Sequence, residues 1–250
     1  MSVQTVFKRY ELKYMMTLEQ KEKVLAAMRD YMTLDEYGRT TIRNIYFDTY
    51  NYRLARQSIE KPIYKEKLRV RSYSQATVDS MVFVELKKKY DSVVYKRRLV
   101  LEEQKAMNWI ETKNPGGLDS QISREINYFL DYYENLMPAV FLSYEREAFY
   151  SNNHSDFRVT FDDTILFREE DVSLKSPVWG TPILEDGWTL MELKCSAGIP
   201  MWMTVVLAEN GIYKTSFSKY GTAYTEHILP NIYKKILIPN MISKEILNYA

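Results

Sequence analysis

"KEKLRVRSY", residues 65–73, sets Lys65, Lys67, Arg69 and Arg71 at every second position, with Leu68 and Val70 between them. Side chains along a strand alternate between its faces, so this stretch predicts a strand with a basic row on one side, ending in Tyr73, and apolar residues on the other. One such strand fits an ordinary half-buried sheet whose charges meet water. A functional meaning requires the same pattern on its neighbours.

The pattern recurs along the chain. Alternating segments predict strands near 4–14, 41–48, 63–73, 81–89, 93–101, 139–149, 157–163 and 188–195. The two-residue period puts Arg9, Glu11 and Lys13 on one face, and likewise Asn44, Tyr46 and Asp48. Glu85 and Lys87 oppose Val82, Val84 and Leu86, and Lys96 shares a face with Arg98 while Arg97 falls with Tyr95 and Leu99. "FRVTFDD" (157–163) sets Arg158, Thr160 and Asp162 against Phe157, Val159 and Phe161. "LMELKC" (190–195) sets Glu192 and Lys194 against Met191, Leu193 and Cys195, and Arg146 follows the same spacing beside Tyr144.

Amphipathic helices accompany these strands. "TLEQKEKVLAAMRDYM" starts with Thr17 as N-cap and Gln20 three positions on, the spacing of a capping box. "DSQISREINYFLDYYENL" repeats apolar residues at helical spacing from Asp119, and the tail from Trp202 to the end reads as mostly helical. Such helices need an apolar surface to cover. The apolar strand faces supply one if they point outward, which leaves the charged faces lining an interior. The expected fold is therefore α+β: a closed eight-stranded antiparallel β-barrel with helices packed outside, forming a single domain over residues 1–250. About ten cations facing one lumen with few carboxylates demand a strongly anionic ligand, because unpaired buried charge costs several kcal/mol per ion.

Composition excludes several classes. A 250-residue chain with 46% hydrophobic and 27% charged residues can bury a substantial core. Its 34 basic and 33 acidic residues leave a net charge of +1, so any basic site is local and no general nucleic-acid binder is expected. "MSVQTVFKRYELKY" lacks the apolar core of a secretory signal, and no apolar run reaches membrane-spanning length. The single Cys195 excludes an intramolecular disulfide framework, suits a reducing compartment, and by parity is a buried core thiol rather than a nucleophile. A cytoplasmic location is expected.

The ordered set of segments carries a resemblance. "RYELKY" (9–14), "NIYFDT" (44–49), "KLRVRSY" (67–73), "VFVELKKKYDSVVYKRR" (82–98), "YEREAF" (144–149), "RVTFDD" (158–163), "MELK" (191–194) and "SFSKYG" (216–221) span nearly the whole chain. In this order and spacing the chain resembles the vacuolar transporter chaperone (VTC) domain, the polyphosphate polymerase branch of the triphosphate tunnel metalloenzymes. The resemblance implies a closed tunnel of eight antiparallel strands. It also implies transfer of the terminal phosphoryl group of ATP to a growing inorganic polyphosphate chain, with a divalent metal, manganese by preference and magnesium as the alternative. ATP and polyphosphate are the implied partners. A membrane partner that receives the polymer is compatible with this reading.

Carried over by position, the resemblance makes Lys13, Arg69, Arg71, Lys87, Lys96, Arg146, Arg158 and Lys219 phosphate-contacting residues, with Ser218 beside the last. Glu192 matches the metal-binding glutamate, and Arg69, Arg71, Arg146 and Arg158 with Glu192 form the expected catalytic set. Lys194 and Arg98 join them on parity alone. Arginine forks suit bridging phosphate oxygens, whereas lysines act as adaptable point charges. Glu11, Glu85 and Asp162, each near a cation in the pattern, read as ion-pair partners rather than metal ligands. Ser218 reads as a helix cap that also donates to phosphate, and His154 and His227 as structural or surface residues. Two other functions fit the same fold: a triphosphate or polyphosphate hydrolase, and a non-catalytic polyanion-binding module.

Overall fold

The structure, a computed structural model, describes residues 10–234 except 61, 92, 154, 155 and 197. Expectations for Arg9, for the first residues of the 4–14 strand, for His154 and for the tail beyond 234 lie outside the described residues.

Strand β1 (Tyr10–Thr17) leads into helix α1 (Leu18–Met28), then β2 (Met32–Leu34), β3 (Thr40–Asp48), α2 (Arg53–Ile59), β4 (Tyr64–Ser72), β5 (Met81–Tyr90) and β6 (Val93–Glu102). Helices α3 (Glu103–Thr112) and α4 (Gln121–Tyr132) precede β7 (Met137–Ser151), β8 (Arg158–Arg168), β9 (Thr181–Pro182) and β10 (Trp188–Cys195). Helix α5 (Met201–Glu209), β11 (Lys214–Thr215), α6 (Lys219–Ala223) and a π-helical turn (Tyr224–Ile228) follow.

Parity sorts the core as the sequence predicts. Leu68 and Val70 of β4 and Val82, Val84 and Leu86 of β5 are buried with Trp109 of α3 and Ile126 and Phe129 of α4. On the other side Met191, Leu193 and Cys195 of β10 and Phe161 of β8 meet Val24 and Met28 of α1 and Met203 of α5. The apolar strand faces therefore point outward to the helices, and Cys195 is a buried thiol.

All the described strand pairings are antiparallel, in the order β11-β1-β10-β8-β7-β3-β4-β5-β6, with β2 attached to β7 and β9 to β8. The closed eight-stranded barrel is corrected on two points. Among the described residues eleven strands form, and no ladder joins β6 to β1. The free edge of β1 is taken instead by β11, through Lys13–Thr215 and Tyr14–Lys214. Side chains still reach across the gap: Lys87 Nζ of β5 lies 2.7 Å from Glu11 Oε2 of β1, and Lys67 Nζ of β4 lies 3.2 Å from Ser218 Oγ. Among the described residues the sheet is curled but not closed by its backbone.

Local chemistry explains the helix starts. Thr17 and Gln20 form the expected capping box, each side chain bonded to the other's backbone. The helix read from Asp119 is capped by Ser120 instead, whose hydroxyl accepts from Ser123 N while Ser123 Oγ accepts from Ser120 N. Helix α2 has Tyr52 as its N-cap residue, in the left-handed region at φ 56°, with no side-chain cap of its own. The carboxylate of Asp48, at the end of β3, accepts from Leu54 N at 2.8 Å and Ala55 N at 2.9 Å and does that work from a distance.

Candidate functional site

Inside the curl lies a cleft of about 180 Å³ lined by nine cations (Lys13, Lys67, Arg69, Arg71, Lys87, Lys96, Arg146, Lys194 and Lys219), two carboxylates (Glu11 and Glu192), three tyrosines (Tyr46, Tyr144 and Tyr220) and Ser218. They come from β1, β3, β4, β5, β6, β7, β10 and the segment around α6, because each strand's period turns its polar row to the same side. Ten of the twelve residues expected at the site line it. Arg98 sits behind them, its guanidinium 2.5 Å from Glu85, and Arg158 is exposed at the start of β8, opposite Lys194 in the ladder, and does not line the cleft.

Carboxylates beside the cations hold them in place, Glu85 and Asp162 buried behind the lining and Glu11 within it. Glu85, 1% exposed, lies 2.7 Å from Arg69, 2.6 Å from Lys96, 2.5 Å from Arg98 and 3.9 Å from Arg71. Burial pushes its carboxyl up, but Arg69, Arg71, Lys96 and Arg98 outweigh that and hold it well below the usual range. Asp162 makes a two-pronged pair with Arg146, both contacts 2.6 Å, and takes Lys219 at 2.5 Å. Glu11 pairs with Lys87. These three carboxylates act as ion-pair partners, as their spacing predicts.

Glu192 lines the cleft, as Glu11 does, but four cations surround it. Lys13 is 3.3 Å away, Lys194 3.5 Å, and Arg146 and Lys219 each 3.7 Å. Burial raises its carboxyl, and Lys13, Lys219, Lys194 and Arg146 together hold it well below the ordinary value. Among the described residues no three His, Cys, Asp or Glu side chains cluster as metal ligands. A divalent cation here would draw a protein oxygen from Glu192 and rely on phosphate and water for the rest, as Mg2+ commonly does.

Position by position, the tyrosines and Lys67 are what the sequence reading missed. Arg69 Nη1 donates to Tyr46 Oη at 3.0 Å, Arg71 Nη2 to Tyr144 Oη at 3.0 Å, and Arg71 Nε to Asn44 Oδ1 at 2.9 Å. Lys219 Nζ lies 4.5 Å from the Tyr144 ring centre. Tyr220 Oη donates to Asp48 at 2.7 Å, which ties the floor of the cleft to the cap of α2. The signal for Tyr46 and Tyr144 was parity with Asn44 and Arg146. For Lys67 it was parity with Arg69 and Arg71. Ser218 caps α6 by accepting from Gly221 N at 3.2 Å, as expected.

A model of the VTC domain matches residues 8–227, the span that contains every cleft residue. The chain belongs to the VTC domain family. No curated protein matches it. Among solved structures, this VTC domain is similar to a candidate adenylate cyclase of Bacillus halodurans, at 16% identity and TM-score 0.52, over 86% of this chain and 95% of that one. It is also similar to a candidate adenylate cyclase of Vibrio parahaemolyticus (9% identity, TM-score 0.47, 88% and 99% covered) and to a candidate adenylyl cyclase of Hippeastrum with a dominant triphosphatase activity (16% identity, TM-score 0.45, 84% and 92% covered). The first likeness supports the fold of the VTC domain, and the other two carry no argument at their TM-scores. No described helix is long and apolar enough to cross a membrane.

Proposed function

We propose that this VTC domain is a polyphosphate polymerase that transfers the terminal phosphoryl group of ATP to a growing inorganic polyphosphate chain held in the cleft. The observation that carries this reading is the lining of nine cations and two carboxylates around about 180 Å³. Such a lining repels itself when empty and is satisfied by a chain of phosphates. We place that chain in a tunnel whose open side, between β1 and β6, is spanned by the Lys87–Glu11 side-chain pair from β5 and β1 rather than by a backbone ladder.

Phosphoryl transfer asks little covalent work of the protein, because positioning and charge stabilisation carry most of the catalysis. Arg69, Arg71 and Arg146, already fixed by Glu85, Asn44 and Asp162, present rigid forks to the transferred group. Lys13, Lys87, Lys96, Lys194 and Lys219 hold successive phosphates along the cleft. Arg98 acts through Glu85, and Arg158 serves the mouth, where phosphates enter beside Lys194. Glu192 would hold the divalent metal, manganese or magnesium, whose charge supports the donor phosphates. The acceptor is a terminal phosphate oxygen, ionised near neutral pH, so no strong general base is needed. A hydrolase must activate water, commonly with a second metal and further carboxylates, and no such cluster occurs among the described residues. A cytoplasmic site of action, with a membrane partner to receive the polymer, belongs to the same reading.

The test is to incubate the protein with ATP and manganese and to measure ADP and acid-stable polyphosphate together. Equal growth of both is expected. ADP with free phosphate and no polymer would establish a hydrolase, and tight polyphosphate binding with no turnover would establish a binding module.

A further inference from the structure

Eight of the nine cleft cations have a carboxylate within 4.0 Å: Glu192 for Lys13 and Lys194, Glu85 for Arg69, Arg71 and Lys96, Asp162 for Arg146 and Lys219, and Glu11 for Lys87. Lys67 has none among the described residues. Its Nζ rests 3.2 Å from Ser218 Oγ and 5.7 Å from the Tyr220 ring centre, contacts that a neutral amine makes as well as an ammonium. Around it stand Lys13 of β1, Lys65 and Arg69 of its own strand, and Lys87 of β5. The acids on those elements are already engaged: Glu11 by Lys87, Glu192 by Lys13 and Glu85 by Arg69. The Ser218 and Tyr220 side chains supply no counter-charge, since Tyr220 keeps its proton and donates it in a hydrogen bond to Asp48.

We propose that Lys67 couples binding of a phosphate chain to uptake of a proton: above neutral pH it waits mostly as a neutral amine in the empty cleft and is protonated from solvent as the polyanion arrives. The proposal rests on the reading of the cleft as a phosphate-chain site and adds the residue that sets its pH dependence. Burial first, and then Lys13, Lys65, Lys87 and Arg69, push the Lys67 ammonium down to about 7 in the empty protein. An incoming phosphate supplies the missing negative charge and returns the group toward its ordinary range. Lys96 is also pushed down to about 7, chiefly by burial, but Glu85 stands 2.6 Å from it and its side chain is 39% exposed, so it keeps a counter-charge without ligand.

The experiment is calorimetry of inorganic tripolyphosphate binding at pH 8 in two buffers of different protonation enthalpy, on the whole protein, for wild type and for Lys67→Arg, which keeps the charge but cannot lose it. Wild type should take up about one proton more than Lys67→Arg, and its affinity should fall about tenfold more steeply between pH 8 and pH 9. Lys67→Gln, which carries no titrating group, should likewise lack the extra proton. Equal proton uptake in wild type and both variants overturns the proposal and leaves the binding site standing. Failure of wild type to bind tripolyphosphate overturns the site and the proposal together. Lys67-dependent uptake in a protein that makes no polymer supports the proposal and removes only the polymerase.

Discussion

Glu192 and Glu85 are both buried carboxylates among cations, yet they are expected to respond differently to the loss of a charge. Glu192 faces the cleft, 11% of its side chain exposed, and touches the place where phosphate and metal would meet. Glu192→Gln should therefore cut the rate of polymer formation at limiting manganese by about 100-fold while tripolyphosphate affinity holds or rises, because a charge that acts mainly in the transition state shows in turnover. Polymer synthesis across a manganese titration, beside calorimetry, checks this, and unchanged turnover would remove Glu192 from the mechanism. Glu85 lies behind the cations and contacts four of them. Removing its charge strands Arg69 and Arg71 together, so Glu85→Gln should cost about 3 kcal/mol in denaturant unfolding without ligand, a low value for a buried pair because Lys96 and Arg98 reach solvent. Saturating tripolyphosphate should restore part of it. The carboxyl of Glu85 is depressed in the folded protein, so its contribution is fully present above the unfolded carboxylate value near 4.5 and is lost only as pH falls toward its lower folded value. The unfolding free energy of wild type should accordingly start to fall below about pH 4.5 more steeply than that of Glu85→Gln, and parallel slopes would remove Glu85 from the acid response.

At the scale of elements, two helix starts separate structure from function. The Thr17–Gln20 box closes α1 without any residue of the cleft lining, so Thr17→Ala should lower stability by about 1 kcal/mol and leave tripolyphosphate affinity unchanged. Asp48 reaches further, since one carboxylate accepts from Thr49 N, Leu54 N, Ala55 N and Tyr220 Oη. Asp48→Ala should destabilise the fold by about 3 kcal/mol and also weaken ligand binding, because Tyr220 and the neighbouring Ser218 and Lys219 lose their anchor. Unfolding and binding measured on the same preparations distinguish the two helices, and unchanged affinity in Asp48→Ala would sever α2 from the cleft. Helix α2 was illegible in the sequence because its cap lies four residues before Tyr52 and works through tertiary contact. Helix α3 was missed because β6 runs into it with Glu102 as the only boundary, a residue with no capping bond. β2, β9 and β11 are two or three residues long and exist only through their pairing with β7, β8 and β1.

The whole molecule is a curled sheet whose cations converge while its net charge is only +1, so the positive field is concentrated in one place. Tripolyphosphate at about 100 times its dissociation constant should add about 2.7 kcal/mol of stability. For a chain of this size that corresponds to a rise in melting temperature of about 5–10 °C. Added salt should shrink the shift by screening, and a shift below 1 °C under these conditions would contradict the cleft as a phosphate site.

The sequence by itself determined which side chains share a face. A strand's period is two whatever it pairs with, so "KEKLRVRSY" and its counterparts already separated Arg69, Arg71, Lys87, Lys96, Arg146 and Glu192 from the apolar residues that α3, α4, α1 and α5 cover. Period says nothing about depth along a strand or about which strand lies across the lumen. Tertiary structure alone decided that Lys67 points at Ser218 with no counter-charge among the described residues, that Arg158 stays outside the cleft lining, and that Tyr46 and Tyr144 hold arginines. It also decided that, among the described residues, β11 and not β6 pairs with the edge of β1 at Lys13 and Tyr14, because closure depends on the competition between partner strands for one backbone edge, and that competition is settled in three dimensions.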